Sequence, residues 1–276
     1  MNDILFVYFT ITDWCNLKCD HCLRNCGPDK PCVFMPLEKL ESYLYQLKTT
    51  PVNIFPQISI SGGEPFAAYI KKEELDSSYI PNVAKTFFEY GYHPTFKTNG
   101  TWGKHDDTCK EVLDSIAQQA SKYKHRIYLD ISIDEFHNNL SGVSRIIYNT
   151  QKYKNLSDNL FITLSGFRTE KSQIALKNLY TELKKQGLNI SPTDKLWQIN
   201  NMLMGVNFTN SIFNFGRAKT KGISTANLPS YNDGLYCLEI TYDDTATLNT
   251  RYSKPINNQH LSIVLGQLLL QFYKDR

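Results

Sequence analysis

The sequence lacks any long hydrophobic run. Its longest apolar stretch near the start, Ile4–Ile11, is too short to span a bilayer, and no basic segment precedes it as a secretion signal requires. The sequence also lacks a large excess of charge of either sign. Its 30 Lys and Arg residues are nearly balanced by 27 Asp and Glu residues, which leaves a net charge of +3. Nucleic acids and anionic membranes need concentrated basic patches, so we expect neither as a partner. We expect a cytoplasmic protein.

Internal repeats and low-complexity tracts are absent as well, and what recurs instead is a β-rich run followed by a helical stretch. Such alternation predicts an α/β fold, since parallel strands need helical crossovers. Periodicity alone leaves open whether the sheet is doubly wound or curled into a partial barrel. The predicted strands are 4–12, 57–61, 93–99, 126–134 and 159–166, with a final strand within 197–206, and the predicted helices are 37–47, 80–90, 108–122, 143–153 and 171–186.

The alternation stops after Phe208. A segment "FNFGRAKTKG" (213–222) and a link rich in Pro, Asn and Ser come next. Residues 235–249 then predict a β-hairpin that turns at Asp243 and Asp244, and residues 260–273 predict a C-terminal helix.

Cysteine is concentrated in one place: "DWCNLKCDHCLRNCGPDKPC" (13–32) holds five of the seven cysteines. A cytosolic location and an odd count weaken a disulfide interpretation. A structural zinc site brings four ligands, and here Cys26 or Cys32 would have to complete an irregular set. Three closely spaced thiolates also suit an iron–sulfur cubane with one iron left open. This loop follows the first strand, at the sheet edge where ligands bind.

The spacing C-x3-C-x2-C in "CNLKCDHC" resembles the cluster motif of the radical S-adenosylmethionine (radical SAM) superfamily. The resemblance implies that Cys15, Cys19 and Cys22 hold a four-iron four-sulfur (4Fe-4S) cluster. It also implies that His21, at a position that is usually aromatic in the family, lies near the adenine of SAM. A zinc loop is the alternative that the motif alone leaves open.

Two later strand ends extend the resemblance. The segment "SGGEP" resembles the family motif that binds the amino group of SAM, which would assign Gly62, Gly63 and Glu64 to that role. Gly-Gly also ends many strands without any ligand. In "KTNG", Thr98 and Asn99 resemble polar residues that face the cofactor, although an Asn-Gly turn explains Asn99 nearly as well.

The fourth and fifth strand ends supply four more candidates for the SAM site. Strand alternation places Ser132 and Asp134 on one face, and the resemblance implies that a carboxylate there holds the ribose hydroxyls. A helix cap is the alternative for Asp134. Ser165 and Arg168 are assigned to the carboxylate of SAM, with a plain surface role as the alternative for Arg168.

Together these matches imply a partial (β/α)6 TIM-like barrel of parallel strands, followed by a small C-terminal β-hairpin and helix. We expect a radical SAM core at 1–208 and an extension at 209–276. The extension resembles the start of a SPASM or twitch domain, but Asn249, Thr250 and Arg251 stand where further cysteines usually follow. It is interpreted as degenerate, without an auxiliary cluster, although an unrelated hairpin is an alternative. Cys26 and Cys32 are interpreted as spectators.

The resemblance implies an enzyme that binds one 4Fe-4S cluster and SAM. One electron from the cluster would split SAM into methionine and a 5′-deoxyadenosyl radical, which abstracts a substrate hydrogen. A peptide or protein is the favoured substrate, as in the maturation of ribosomally made peptides, and flavodoxin or ferredoxin the expected electron donor. The alternatives are activation of a glycyl-radical enzyme, chemistry on a small metabolite and, last, a non-catalytic iron–sulfur or zinc protein.

Overall fold

The computed structural model describes residues 4–210, 216–224, 235–249 and 251–274. Parts of the predicted "FNFGRAKTKG" segment and of the link after it therefore lie outside the described residues, as does Thr250. The strands are β1 Ile4–Thr10, β2 Asn53–Ile54, β3 Gln57–Ser61, β4 His93–Thr98, β5 Ile127–Ser132, β6 Leu160–Phe167, β7 Ile190–Pro192, β8 Leu196–Ile199, β9 Met202–Thr209, β10 Leu235–Thr241, β11 Thr245–Leu248 and β12 Tyr252–Pro255.

The helices alternate with these strands, as predicted. A short 3-10 helix, Thr101–Lys104, follows β4. The α-helices are α1 Leu37–Thr49, α2 Ala67–Ile70, α3 Tyr79–Glu89, α4 Asp106–Tyr123, α5 Leu140–Lys152, α6 Lys154–Asn159, α7 Glu170–Lys185, α8 Gly216–Lys221 and α9 Leu261–Lys274.

All described strands belong to one sheet, with β1, β3, β4, β5, β6 and β9 adjacent in that order and parallel throughout. The inward side chains of these six strands line a single cavity, so the sheet is curled around it. This confirms the α/β class and the partial TIM-like barrel. The carboxyl ends of the strands meet at one edge, where the barrel presents its loops.

The last strand was predicted within residues 197–206, and β9 begins there at Met202. The same range also contains most of a second strand, β8, so that β8 and β9 are antiparallel neighbours joined at Asn200 and Asn201. Asn200 has a positive φ of 49°, which asparagine tolerates better than most residues. The strand that completes the parallel set is therefore β9, and β8 and β7 continue the sheet beyond it.

The core lies between the outer face of the curled sheet and the helices. Along β5 the alternation is regular: Ile127, Leu129 and Ile131 are buried outward, whereas Asp130 and Ser132 face the cavity. Each fully buried Ile or Leu contributes about 1.5–3 kcal/mol relative to an exposed one. The outward faces therefore stabilise the barrel, and the inward faces are left for polar side chains.

The predicted C-terminal hairpin is confirmed, because β10 and β11 pair antiparallel. The position of the hairpin was not predicted from the sequence. Strand β10 also pairs parallel with β1, so the hairpin extends the barrel sheet. The helix α9 packs on β11, β12 and α1. Among the described residues, no helix is both long and apolar enough to cross a bilayer.

Candidate functional site

A cavity of about 600 Å³ lies inside the barrel, in the size range of cofactor pockets. Each of the six parallel strands contributes an inward side chain to the wall of this cavity. The loop that follows β1 also lines it. Because the wall is built from successive strands, its residues are far apart in sequence. The strand residues are Tyr8, Ser61, Lys97, Asp130, Ser132, Ser165, Asn207 and Thr209, with Cys237 and Glu239 from β10.

The structure brings Cys15, Cys19 and Cys22 to this cavity. All three lie in the loop between β1 and α1, which we call the cluster loop (residues 11–36). Two backbone bonds shape it: the Cys22 amide donates to the Cys19 carbonyl at 3.1 Å, and the Cys15 amide donates to the Gly27 carbonyl at 3.2 Å. The loop therefore returns on itself and presents its thiols to the barrel interior.

The environment of each thiol differs. Burial, with the nearby Glu64 carboxyl, raises the pKa of Cys15 to about 12. A hydrogen bond with Cys26 is the main factor that lowers the pKa of Cys22 to about 6, while the same bond and burial raise the pKa of Cys26. Cys26 is buried, its backbone amide donates to the Cys22 sulfur at 3.3 Å, and its thiol lies 3.9 Å from Asp13 Oδ1. Its interpretation as a spectator remains a prediction, but this contact gives it a neighbour in the site.

The remaining cysteines are separate from the triad, and none of the seven forms a disulfide. Cys32 is half-buried near Lys71 and Glu74, and it does not line the cavity. Cys109 is fully buried on α4. Cys237 lines the cavity from β10.

The glycines of "SGGEP" accommodate the cluster loop itself. A Cβ on Gly62, whose φ is +126°, would lie 2.1 Å from the Thr12 carbonyl oxygen, and one on Gly63 would lie 1.7 Å from the Trp14 carbonyl oxygen. The Gly63 amide donates to Thr12 at 2.7 Å. Both glycines line the cavity, but their lack of a side chain is required by this backbone crossing.

Glu64 lies behind the cavity wall and has no exposed surface. Its carboxylate accepts hydrogen bonds from the Thr98 hydroxyl (2.6 Å), the Asn99 amide (2.8 Å) and the Phe66 amide (3.1 Å). Burial raises its pKa to about 7 despite these donors. Glu64 therefore ties the end of β3 to the end of β4, and its carboxylate is occupied by protein donors.

Thr98 and Asn99 both line the cavity at the end of β4. The Asn99 side-chain amide donates to the Cys15 sulfur at 3.6 Å and to the side-chain oxygen Oδ1 of Asn16 at 2.9 Å. Hydrogen bonds to cysteine sulfurs tune iron–sulfur clusters. Asn99 thus contacts the cluster loop directly, beyond any role in the turn that follows it.

Ser132 and Asp134 both line the cavity, as strand alternation predicted. Asp134 does not cap the following helix, because α5 begins at Leu140 and its N-cap is Asn139. Instead its carboxylate accepts from the Phe136 amide at 3.0 Å and from His137 Nδ1 at 2.7 Å.

His137 was missed by the sequence analysis, although its position three residues after an aspartate at a strand end was visible there. Burial lowers its pKa, but hydrogen bonds with Asp134 and Cys19 outweigh burial and raise the pKa to about 10. Burial raises the pKa of Asp134, yet the bond from His137 brings it below its ordinary value. The pair is therefore an imidazolium and a carboxylate at neutral pH, placed beside a candidate cluster ligand.

His21 lies among aromatic rings, with centroid distances of 4.5 Å to Phe136, 5.0 Å to Phe167 and 5.1 Å to His137. Burial lowers its pKa to about 4, so the ring is neutral. Its Nδ1 is buried and has no hydrogen-bond partner among the described residues. A neutral ring with an unsatisfied polar atom suits contact with a flat, polar-edged group such as a purine.

Ser165 lines the cavity, but Arg168 does not. The Arg168 Nε donates to the Phe208 carbonyl at 2.9 Å, and the side chain lines a second, separate pocket with Tyr180 and Trp197. Strand β6 ends at Phe167, so the chain has already left the inward face one residue later.

Charged residues inside the barrel form a further group that sequence reasoning missed. Lys97 and Asp130 form an ion pair at 2.6 Å across β4 and β5. Arg24 of the cluster loop bonds with Asp13 at 3.4 Å and also with Glu239 of β10. Charged residues within buried parallel strands were the available signal, because such strands otherwise favour apolar residues.

Cys15, Cys19 and Cys22 offer three thiol donors from one short loop that lines the cavity, a donor set that suits a multi-iron cluster with one iron left open. His21, Asp134 and His137 lie close enough to hold an ion, but the Asp134–His137 bond already accounts for that closeness. The donor set, the spacing and the unsatisfied His21 nitrogen therefore fit a cluster with SAM beside it.

Comparisons with solved structures find low sequence identity and TM-scores below one half. anSMEcpe with bound AdoMet has 19% identity and a TM-score of 0.44, covering 67% of this chain and 49% of that one. Streptococcus suis SuiB bound to its precursor peptide SuiA has 13% identity and a TM-score of 0.45, covering 96% and 65%. This chain thus spans about half the length of anSMEcpe. No curated protein matches the sequence.

A comparison with protein families is decisive. The sequence model described as the Radical SAM superfamily matches residues 9–161, more than half of the chain. That range begins within β1 and runs through the cluster loop and the ends of β3, β4 and β5, the segments that build the cavity. The chain therefore belongs to the radical SAM superfamily of enzymes.

Proposed function

We propose that this enzyme holds one 4Fe-4S cluster on Cys15, Cys19 and Cys22 and uses it to cleave SAM reductively. The observation that supports this most directly is the single cavity that contains all three thiols together with four strand ends. When bound, the cluster supplies an electron to SAM, which then yields methionine and a 5′-deoxyadenosyl radical that takes a hydrogen atom from the substrate.

The roles of the protein residues follow from where they lie. His21 is suited to the adenine through its neutral ring and unsatisfied Nδ1. Ser132 and Asp134 are suited to the ribose hydroxyls, with His137 holding the Asp134 carboxylate in place. Asn99 holds the Cys15 sulfur by a hydrogen bond. Arg168 has no part in this proposal, because it lines a different pocket.

The amino end of SAM is assigned to the rim formed by Gly62 and Gly63, which line the cavity. Glu64 is assigned to the same motif in a supporting role, since its carboxylate orders the ends of β3 and β4. Thr98 and Ser165 complete the polar wall around this end of the cavity. Closing the wall with hydrogen-bonded side chains limits the access of water to a reactive intermediate.

We further propose that the substrate is a peptide or protein. The cavity that would hold SAM and the cluster has a volume of about 600 Å³. The hairpin after the core resembles the start of a SPASM or twitch domain, an extension found in family members that modify peptides and proteins, and it forms one wall of that cavity through Cys237 and Glu239. The division into a core at 1–208 and an extension at 209–276 is retained as part of this proposal, with flavodoxin or ferredoxin as electron donor.

Cleavage of SAM tests the central proposal. Anaerobically reconstituted protein, given SAM and dithionite, is expected to release 5′-deoxyadenosine and methionine, measured by liquid chromatography. A Cys15→Ala, Cys19→Ala, Cys22→Ala variant treated identically is the control and is expected to release neither. Wild-type protein that binds iron and SAM yet releases no deoxyadenosine, with or without cell extract, would contradict the proposal.

A further inference from the structure

Arg217 is a buried arginine in α8, in the segment after the barrel, with only 8% of its surface exposed. Arginine is almost never buried unless a partner satisfies it. Among the described residues, no carboxylate forms a salt bridge with Arg217. By contrast Arg24, the other arginine close to the candidate cluster ligands, bonds with Asp13 and Glu239. The partners of Arg217 are backbone carbonyls.

Those carbonyls all belong to the cluster loop. Arg217 Nη1 donates to the Cys19 carbonyl at 2.7 Å, and Nη2 donates to the Cys26 carbonyl at 2.6 Å. The Arg217 backbone amide donates to the Cys22 carbonyl at 2.8 Å. One residue therefore binds the loop at three cysteines, two of which are candidate cluster ligands.

The loop has few alternatives to these bonds. Between Cys19 and Cys26, the described backbone bond within the segment runs from the Cys22 amide to the Cys19 carbonyl, and the Cys26 amide donates to the Cys22 sulfur. Asn25 has a positive φ of 58°, which breaks any regular structure there. Buried carbonyls need donors, and a charged donor forms hydrogen bonds roughly twice as strong as a neutral one. The hydrogen bonds from Arg217 therefore supply carbonyl partners that regular secondary structure would otherwise provide in this segment.

The charge of Arg217 has a separate consequence. Reduction of a cluster adds one negative charge, and a nearby buried cation stabilises the reduced form more than the oxidised form. The carbonyl partners of Arg217 are neutral, so they leave its full positive charge beside Cys19 and Cys22. The charge of Arg24, in contrast, is compensated by two carboxylates.

We propose that Arg217 is a positioning residue for the iron–sulfur cluster: its guanidinium fixes the cluster loop through the carbonyls of Cys19 and Cys26, and its charge raises the reduction potential. This inference depends on the proposed cluster at Cys15, Cys19 and Cys22. It gives the C-terminal segment a role in the core chemistry that requires no auxiliary cluster.

The test compares Arg217→Met with Arg217→Lys, and uses Arg168→Met, in the separate pocket, as the matched control. Two quantities are measured on reconstituted protein without SAM: the rate of iron release to a chelator, and the midpoint potential from a redox titration followed by electron paramagnetic resonance. Arg217→Met is expected to release iron about tenfold faster or more, because charged hydrogen bonds are lost, and to have a lower potential. Arg168→Met is expected to match the wild type in both.

Arg217→Lys separates the two contributions, since it keeps the charge but loses the two-pronged contact. We expect faster iron release with a potential close to that of the wild type, and this variant also carries the test if Arg217→Met does not fold. Wild-type iron release and potential in both variants would overturn the inference. If the wild-type protein itself binds no 4Fe-4S cluster, the proposed function fails first, so the two failures are distinguishable.

Discussion

At the scale of single residues, the site depends on close approaches between segments distant in sequence. Gly63 is the clearest example, because the cluster loop passes where its side chain would be. Asn99 is another, since its side-chain amide donates to the Cys15 sulfur of the cluster loop. Neither role is visible in the residue types alone.

Replacing Gly63 by Ala is expected to displace the cluster loop. The new Cβ would lie 1.7 Å from a backbone oxygen that cannot move without its loop, so we expect a destabilisation of about 1–3 kcal/mol or more and reduced iron content. Gly266→Ala is the control, because nothing lies within 4 Å of a Cβ there and alanine favours a helix. Denaturant titration and iron analysis measure both. Equal iron content in the two variants would contradict the assigned crossing.

Replacing Asp134 by Ala is expected to weaken SAM binding about ten- to a hundred-fold, the effect of losing about 1.5–3 kcal/mol from one charged hydrogen-bonding group. Iron content should stay unchanged, since Asp134 holds no candidate cluster ligand. Equilibrium binding to reconstituted protein measures the effect. Asp107→Ala, which removes an exposed aspartate on α4 that does not line the cavity, is the control. Unchanged SAM affinity in Asp134→Ala would assign the residue to ordering the loop through His137.

At the scale of elements, the cluster loop is the least regular part of the site and the most heavily supported. It has little secondary structure of its own, yet it contacts β3 through Gly63, β4 through Asn99 and α8 through Arg217. Each support is a hydrogen bond to backbone or sulfur. The loop is therefore held by the elements around it.

The cysteines of this loop are expected to build one cluster. We predict about four irons per chain after reconstitution, the content of one cubane. Replacing Cys15, Cys19 and Cys22 together by Ala should remove essentially all of this iron, because no other thiols in the loop can replace three ligands. Iron and sulfide analysis measures the iron content of both proteins, and electron paramagnetic resonance identifies the cluster type.

The complementary variant replaces Cys26, Cys32 and Cys237 by Ala and is expected to keep the four irons. Cys32 lies outside the cavity, and Cys237 lacks neighbouring cysteines for a second cluster. A cubane signal that persists without Cys15, Cys19 and Cys22 would instead reveal a second site and revive an auxiliary cluster in the extension.

At the scale of the whole molecule, the described part of the extension is continuous with the barrel. Strand β10 pairs along the full length of β1, and its Glu239 bonds with Arg24 of the cluster loop. Residues 209–276 were predicted to form an extension of the core, and the described part of them shares the sheet and the cavity of the core. We therefore expect the two parts to unfold together.

Core substitutions on each side of the proposed boundary test this expectation. Leu129→Ala in β5 and Leu238→Ala in β10 both empty fully buried positions, which costs about 2–5 kcal/mol each. Because the sheet is continuous, both variants should shift one common transition in denaturant, followed by fluorescence and circular dichroism. A separate early transition in Leu238→Ala alone would show that the extension unfolds as an independent domain.

Sequence patterns were sufficient for the elements and for the family. Local periodicity predicted the order of strands and helices, because a strand or helix depends on residues close together in the chain. It placed the last strand within residues 197–206 but did not show that a tight turn at Asn200 separates two strands there, β8 and β9. The spacing of Cys15, Cys19 and Cys22 was equally local, and the motif therefore identified the superfamily.

What the sequence by itself determined was thus the alternation of strand and helix, the cluster motif and the strand ends that approach it. Only the tertiary structure decided that Glu64 is fully buried, that Arg168 leaves the cavity and that Arg217 reaches the cluster loop across 198 residues of chain. The physical reason is that these outcomes depend on burial and on hydrogen bonds between distant segments. Such contacts form only once the sheet has curled, and no local pattern of residues encodes their partners.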